Sequence, residues 1–313
     1  MAAAADALHI SPSAVSQQLA TLAREVGVPL FQHHGRKVTL TGEAWLLLDH
    51  ADTLLAHLER VRTDLAAYLG GQTGEVRVGA FASAIVSLIA PALALLGRER
   101  PKLRLTVQEA DAPQCLRLLD SGDLDLALTV DYRTGPARTD RRYHRTDLHR
   151  DRYDAVLPDG HRLAGAADLA LDDLAAEPWI IAGGGGPCSE IPLTAAAEAG
   201  FTPRVAHRLN DYAAALALVG TGAGVAIIPR LAAVAPPPGV VLRRLRPHAP
   251  VRNIYAAGRA GTERDPRLQA VLAALGTVAR RLGQNPNPVD AENSIVTVTR
   301  DISKDDVTLI NRG

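Results

Sequence analysis

Ser13, Ser16, Gln17, Thr21 and Arg24 fall on one side of a helix that Ser11-Pro12 opens and Gly27 closes. A serine cap followed by proline at the first helical position is a strong helix start, and glycine a common stop. The opposite side carries Val15, Leu19, Leu22 and Val26, spaced four, three and four residues apart, which predicts a single buried stripe. Short polar donors and acceptors on the exposed side of such a helix suit the reading of base edges in a DNA major groove. The residues beyond it, Val28–Gly42, predict a strand, a tight turn at Gly35 and a second strand, with Arg36 and Lys37 at the tip, where they would meet phosphates or a minor groove.

A second chemistry is available further along. From Glu75 onward short apolar strands alternate with helices, and in open α/β sheets ligands sit beyond the carboxyl ends of the strands. Those ends include Ala82-Ser83-Ala84, Thr129-Val130-Asp131, Gly183–Ser189 and Ile228-Pro229. Ser83 opens a helix, so its hydroxyl and nearby amides could hold a carboxylate; Gly184 and Gly185 permit close backbone approach. The effector candidates are therefore Ala82, Ser83, Ala84, Asp131, Gly184, Gly185 and Ile228, and a small organic acid is the ligand class they suggest. Asp123 and Asp125 enter a strand through a Gly-Asp-Leu-Asp turn and are read as structural. Gly222-Ala-Gly224 lacks the spacing of a nucleotide loop, and its glycines are expected to permit tight helix-to-strand packing. No nucleophile lies in a hydrolase elbow, so no catalytic set, no cofactor and no enzyme activity are expected.

These pieces need positioning elements. Glu43–Leu69 predicts one helix whose apolar positions Leu47, Ala51, Leu54, Leu58, Val61, Leu65 and Tyr68 alternate four and three residues apart, a coiled-coil seam suited to joining two copies. A Gly-rich break at 70–74 separates it from the α/β region. The chain's 313 residues exceed one ordinary core, and 47% hydrophobic with 22% charged residues is a globular composition. The net charge of zero excludes a protein that coats nucleic acid by bulk charge, and residues 1–69 hold five basic against seven acidic side chains. Two cysteines, Cys115 and Cys188, give no disulfide framework and no metal spacing. With no basic-then-apolar leader and no long uninterrupted apolar run, the expectation is a cytoplasmic protein with no membrane partner.

The segments Ala5–Leu19, Gly27-Val-Pro-Leu-Phe31 and Gly35–Gly42 resemble, in this order, the winged helix-turn-helix of LysR-type transcriptional regulators. Glu75–Ala80, Leu118–Ala127 and Val219–Pro229 resemble the same family's effector-binding region and, more distantly, periplasmic binding proteins. The resemblance implies DNA-binding roles for Ser11, Ser13, Ala14, Ser16, Gln17, Gln18 and Thr21, with Arg36 and Lys37 on the wing. It also implies promoter DNA, a small-molecule effector, RNA polymerase and a second copy of the chain, as homodimer or homotetramer, as partners. The implied fold class is α/β: a winged helix-turn-helix (1–42) and a linker or dimerisation helix (43–70) before a two-subdomain α/β effector-binding domain (75–282). Subdomain I would take about 75–148 and 251–282, subdomain II about 149–250, with the ligand in the cleft, and the tail 283–313 is expected to be disordered. The family's first DNA-binding helix, which precedes Ala4 in the resemblance, has no counterpart in this sequence. A sensor or co-regulator without DNA binding, and a bilobal solute-binding protein, therefore stay open as alternatives.

Overall fold

A computed structural model describes residues 4, 5, 8, 10–34, 37–68 and 74–284; Arg36 and the tail beyond Gln284 lie outside the described residues. Helix α1 (Pro12–Val26) begins where Ser11, in extended conformation, accepts a 3.1 Å hydrogen bond from the Ala14 amide, and ends at Gly27 with φ 78°. A hairpin follows: β1 (Phe31–His34) pairs antiparallel with β2 (Lys37–Leu40), Phe31 opposite Leu40 and His34 opposite Lys37. Thr41 then ties hairpin to helix. Its hydroxyl donates to the Pro29 carbonyl at 2.8 Å and accepts from the Ala44 amide at 3.1 Å, which caps α2 (Gly42–Tyr68). At 1.5 Å per residue, that 27-residue helix is about 40 Å long.

The apolar stripe expected along α1 is only partly buried. Val15 is covered, whereas Leu22 and Val26 are 37% and 43% exposed.

The chain divides into two compact units. The first takes the described residues up to Thr129, with Gly135–Asp147 and Tyr255–Gly276. Its strand β3 (Gly74–Ala80) lies between β4 (Leu103–Glu109) and β5 (Leu126–Val130), parallel to both. The long helix α3 (Ala82–Glu99), which includes a π-helical stretch at Ile85–Ile89, and α4 (Ala112–Asp120) bury Leu88, Ile89, Leu96, Cys115 and Leu119 with Val76, Val78, Leu126 and Leu128. Alone among the described helices, α3 is long and apolar enough to cross a bilayer; its buried side belongs to the first unit's core, as in a core helix. Gly79 is glycine because a Cβ there would run into the Leu124 side chain. Asp125 has the structural role expected of it. Arg77 donates to it from its amide, Nε and Nη2 at 2.8–3.1 Å. Burial works against the carboxylate's charge, and the Arg77 hydrogen bonds outweigh it and hold its pKa below the usual range.

The second unit takes Val130–Thr134, Leu148–Ile254 and the described residues from Thr277. In it β6 (Tyr143–Pro158) pairs antiparallel with β10 (Ala226–Pro229) on one edge and β11 (Val240–Leu245) on the other, and β11 pairs parallel with β7 (Asp168–Leu169). β8 (Pro178–Ile181) and β9 (Arg204–Arg208) form a parallel pair. Alternation along β6 sends Tyr153, Ala155 and Leu157 into one core with Trp179 and Ile227, and Val156 into another with Ile180, Ile228 and the helix α6 (Tyr212–Gly220). Gly224 lies close against β8, where a Cβ would stand 2.6 Å from the Pro178 carbonyl, a strand contact rather than the helix-to-strand packing expected; a Cβ at Gly222 would meet nothing within 4 Å. Strand β12 (Val251–Arg259), like β6, passes from one unit to the other, and α7 (Pro266–Gln284) ends the described chain.

β6 begins ten residues before the apolar stretch at Tyr153. Helix α5 (Pro187–Glu198) carries Pro192 in its interior. One boundary differs from expectation. Asp131 belongs with the second unit rather than with 75–148, since its amide donates to the Asn253 carbonyl at 3.1 Å and Asn253 Nδ2 donates to its carboxylate at 3.2 Å.

Candidate functional site

The exposed side of α1 presents Ser13, Ser16, Gln17 and Gln18 to solvent, with Ala14 and Thr21 half-buried at its margin. Ser11 is engaged locally: besides capping the helix, its hydroxyl lies 2.9 Å from that of Ser13. Thr21 accepts a 3.0 Å hydrogen bond from Arg24 Nη2, which holds the guanidinium along the same face. Two amides and two or three hydroxyls in a row supply both donors and acceptors without a carboxylate among them, a composition suited to base edges. Lys37 opens β2, paired with His34 of β1.

Helix α2 has two unlike sides. Ala56, Glu59 and Thr63 dock on the turn after β12. Thr63 Oγ1 donates to the Gly261 carbonyl at 3.3 Å, and Glu59 pairs with Arg259 at 3.5 Å. Gly261 has φ 93°, and a Cβ there would collide with the Ala56 carbonyl, so only glycine lets the helix lie this close. The expected seam lies elsewhere on the helix. Leu47 and Ala51 are half-buried, while Leu54, Leu58, Val61 and Leu65 are 50–71% exposed.

The effector candidates are placed unevenly. Ser83 is buried and is the second residue of α3 rather than its cap, a position that Phe81 takes. Ala82 is exposed beside it. Ala84 is wholly buried, and Ile228 is 1% exposed in the core against Ala215 and Val219, because β10 is covered on both faces. Gly184 and Gly185 lie exposed in the loop before α5, Gly185 with φ 74°. The Gly183 amide donates to Asn210 Oδ1 at 3.1 Å, and Gly184 also lies against that side chain. Behind this loop a cavity of about 20 Å³ is lined by Cys188, Asn210, Tyr212 and Ile228.

Sequence reasoning missed a buried ion pair in the second unit. Arg252 donates from Nε and Nη2 to Asp151 Oδ2 at 2.9 and 2.8 Å, and Asp151 Oδ1 accepts from the Leu231 amide at 3.2 Å. Burial works against the guanidinium's charge, but Asp151 more than compensates and raises its pKa. Burial likewise pushes the Tyr153 and Tyr212 phenols above their ordinary range and the Cys115 thiol up to about 12, so all three stay protonated at neutral pH. Among the described residues no group of three or more His, Cys, Asp or Glu side chains could hold a metal ion.

Comparison with known proteins agrees with this architecture at both ends. Residues 1–45 match the model for bacterial regulatory helix-turn-helix proteins of the lysR family, and residues 69–280 match the LysR substrate binding domain. The regulator ShiR of Corynebacterium glutamicum is 30% identical over 260 residues, covering 79% of this chain and 86% of its own. The dual regulator GltC of Bacillus subtilis is 27% identical over 218 residues, covering 69% and 71%. Among solved structures, a mutant OxyR of C. glutamicum is similar in fold, with a TM-score of 0.62 and 21% identity over 94% of this chain and 90% of its own. The LysR-family regulator CbnR gives a TM-score of 0.55 at 22% identity over 89% and 94%. With family models covering both the helix-turn-helix and the α/β region, the chain belongs to the LysR family of DNA-binding transcription regulators, and its α/β half is an effector-binding domain of the periplasmic-binding-protein type.

Proposed function

We propose that α1 is the helix that reads operator DNA, through Ser13, Ser16, Gln17 and Gln18, with Ala14 and Thr21 at its margin and Arg36 and Lys37 on phosphates. The observation that carries this is the exposed polar face of α1, capped by Ser11 and followed at once by a hairpin. Two copies joined along α2 would present two such helices to a partly palindromic site. RNA polymerase is the further partner of this reading, and the cytoplasm its compartment. A mobility-shift titration with the intergenic DNA beside the chain's own gene, at two salt concentrations, tests it. Wild type is expected to give a specific, salt-sensitive shift, and Gln17→Ala to weaken it about five- to a hundredfold, the range of one lost bidentate base contact. A folded dimer that gives no shift would transfer the reading to a sensor that acts without DNA.

The effector is a small organic acid; the candidates for holding it are Ala82, Ser83 and Ala84 in the first unit and, taken separately, Asp131, Gly184, Gly185 and Ile228 in the second. Support comes from the Ser83 hydroxyl near the start of the apolar helix α3 and from the exposed Gly184-Gly185 backbone. An effector regulates only through unequal affinity for two states of the protein. Ser83→Ala is expected to weaken effector binding, read calorimetrically, about tenfold for one charge-assisted hydrogen bond, and to leave operator affinity without effector unchanged. Equal effector affinity in the variant would remove Ser83 from the site.

A further inference from the structure

The second unit carries a groove of about 760 Å³ that the effector reading does not use. Arg150 and Arg152 come to it from β6, Arg230 from the end of β10, Arg244 from β11, and Arg246 and His248 from the loop that follows. The register explains the convergence. Residues 150, 152 and 154 point to one face of β6, and Arg244 stands directly opposite Asp154 on the neighbouring strand. Asp154 is the one carboxylate in the lining, is 1% exposed, and already accepts from Arg230 Nε and Nη2 at 2.8 and 3.0 Å. At the rim Asp168 pairs with Arg246 at 3.2 Å. Five arginines against two carboxylates leave an excess of about three positive charges around one concavity. Among the described residues Arg150 and Arg152 are exposed and make no ion pair.

Like charges on neighbouring positions of one sheet face repel, and a fold that gathers more arginines than carboxylates is relieved by an anion. Guanidinium forks match the planar oxygens of phosphates and carboxylates. The volume lies within the range of small-molecule sites. We propose that this groove binds a small polyanion, a phosphate ester or a di- or tricarboxylate, at a site made of second-unit residues alone and independent of Ser83. The buried Asp154 fixes Arg230 in place, and Arg150 and Arg152 supply the charges that the ligand neutralises.

The test is isothermal titration of the full chain with pyrophosphate and, separately, with citrate, at constant ionic strength near 0.15 M. One of the two is expected to bind saturably at one site per chain, and which one binds distinguishes the phosphate from the carboxylate source. Arg150→Ser with Arg152→Ser is expected to weaken that binding at least tenfold, whereas the control Arg98→Ser with Arg100→Ser, the same charge change on exposed residues of the first unit, is expected to change it less than twofold. No saturable binding of either anion, or equal binding by the groove variant, would overturn the proposal. So would a groove variant whose only defect is weaker operator binding with a shallower salt dependence, because the arginines would then be meeting nucleic acid.

Discussion

Arg252→Leu is expected to destabilise the second unit by about 3–5 kcal/mol, enough to consume much of the stability of an ordinary domain. Arg252 is 3% exposed and Asp151 1%, so neither charge reaches water. Removing the guanidinium strands a buried carboxylate that keeps, among the described residues, the Leu231 amide as its hydrogen-bond donor, at 3.2 Å. The damage should spread, since that hydrogen bond anchors the chain leaving β10 and Arg252 is the second residue of β12. Asp151→Asn should also destabilise, because its single amide oxygen can keep only one of the two donors, Arg252 or the Leu231 amide, while its NH2 faces the other and the arginine loses its counter-charge. Replacing both partners by leucine should recover part of the loss, as an apolar pair carries no desolvation penalty. Denaturant titration followed by tryptophan fluorescence reads the result. Trp179 is wholly buried in the second unit's core and reports its unfolding, whereas Trp45 is 63% exposed on α2. A midpoint unchanged in Arg252→Leu would mean that the pair adds nothing and that the site relaxes around the lone aspartate.

How much of this was legible in the sequence depends on how local each feature is. The α1 boundaries were readable because Ser11-Pro12 and Gly27 act within one helical turn. Asp125 was readable as structural from its place in a turn entering a strand. β6 was readable only from Tyr153, because its first ten residues, Tyr143–Arg152, are mostly charged or polar and show no apolar period. α5 was masked by Pro192, which normally argues against a helix interior. Ile228 lies in an apolar strand covered on both faces, and such a strand has no period to say which side chains are free. The Asp151–Arg252 pair joins residues a hundred positions apart, and the arginine groove draws on strands nearly as distant. Contacts of that kind arise from topology and leave no local pattern. Gly261 shows the same limit from the other side: a glycine in a polar turn is unremarkable until α2 is found resting on it.

Leu54→Glu with Leu58→Glu is expected to convert the protein from dimer to monomer and to lower operator affinity more than a hundredfold. The side chains are 71% and 50% exposed on α2, and Val61 and Leu65 continue the row at 53% and 58%. A row of apolar side chains left in water for three turns is costly unless a second surface covers it. The opposite side of the helix is already taken by its own chain, through Thr63 and Gly261 and through Glu59 and Arg259, so the row is available only to another molecule. Four carboxylates facing one another across a two-fold seam would repel as well as remove the apolar contact. The fold of each chain should survive, because neither leucine belongs to either unit's buried core, and helical circular dichroism should stay within a few per cent of wild type. Operator binding should fall because the second half-site contact ceases to be intramolecular and loses its effective concentration. Sedimentation equilibrium and a mobility shift on the same samples separate the steps. A dimer that persists would place the subunit contact outside α2. A monomer that still binds operator at wild-type affinity would mean that one α1 suffices and that the seam serves assembly rather than reading.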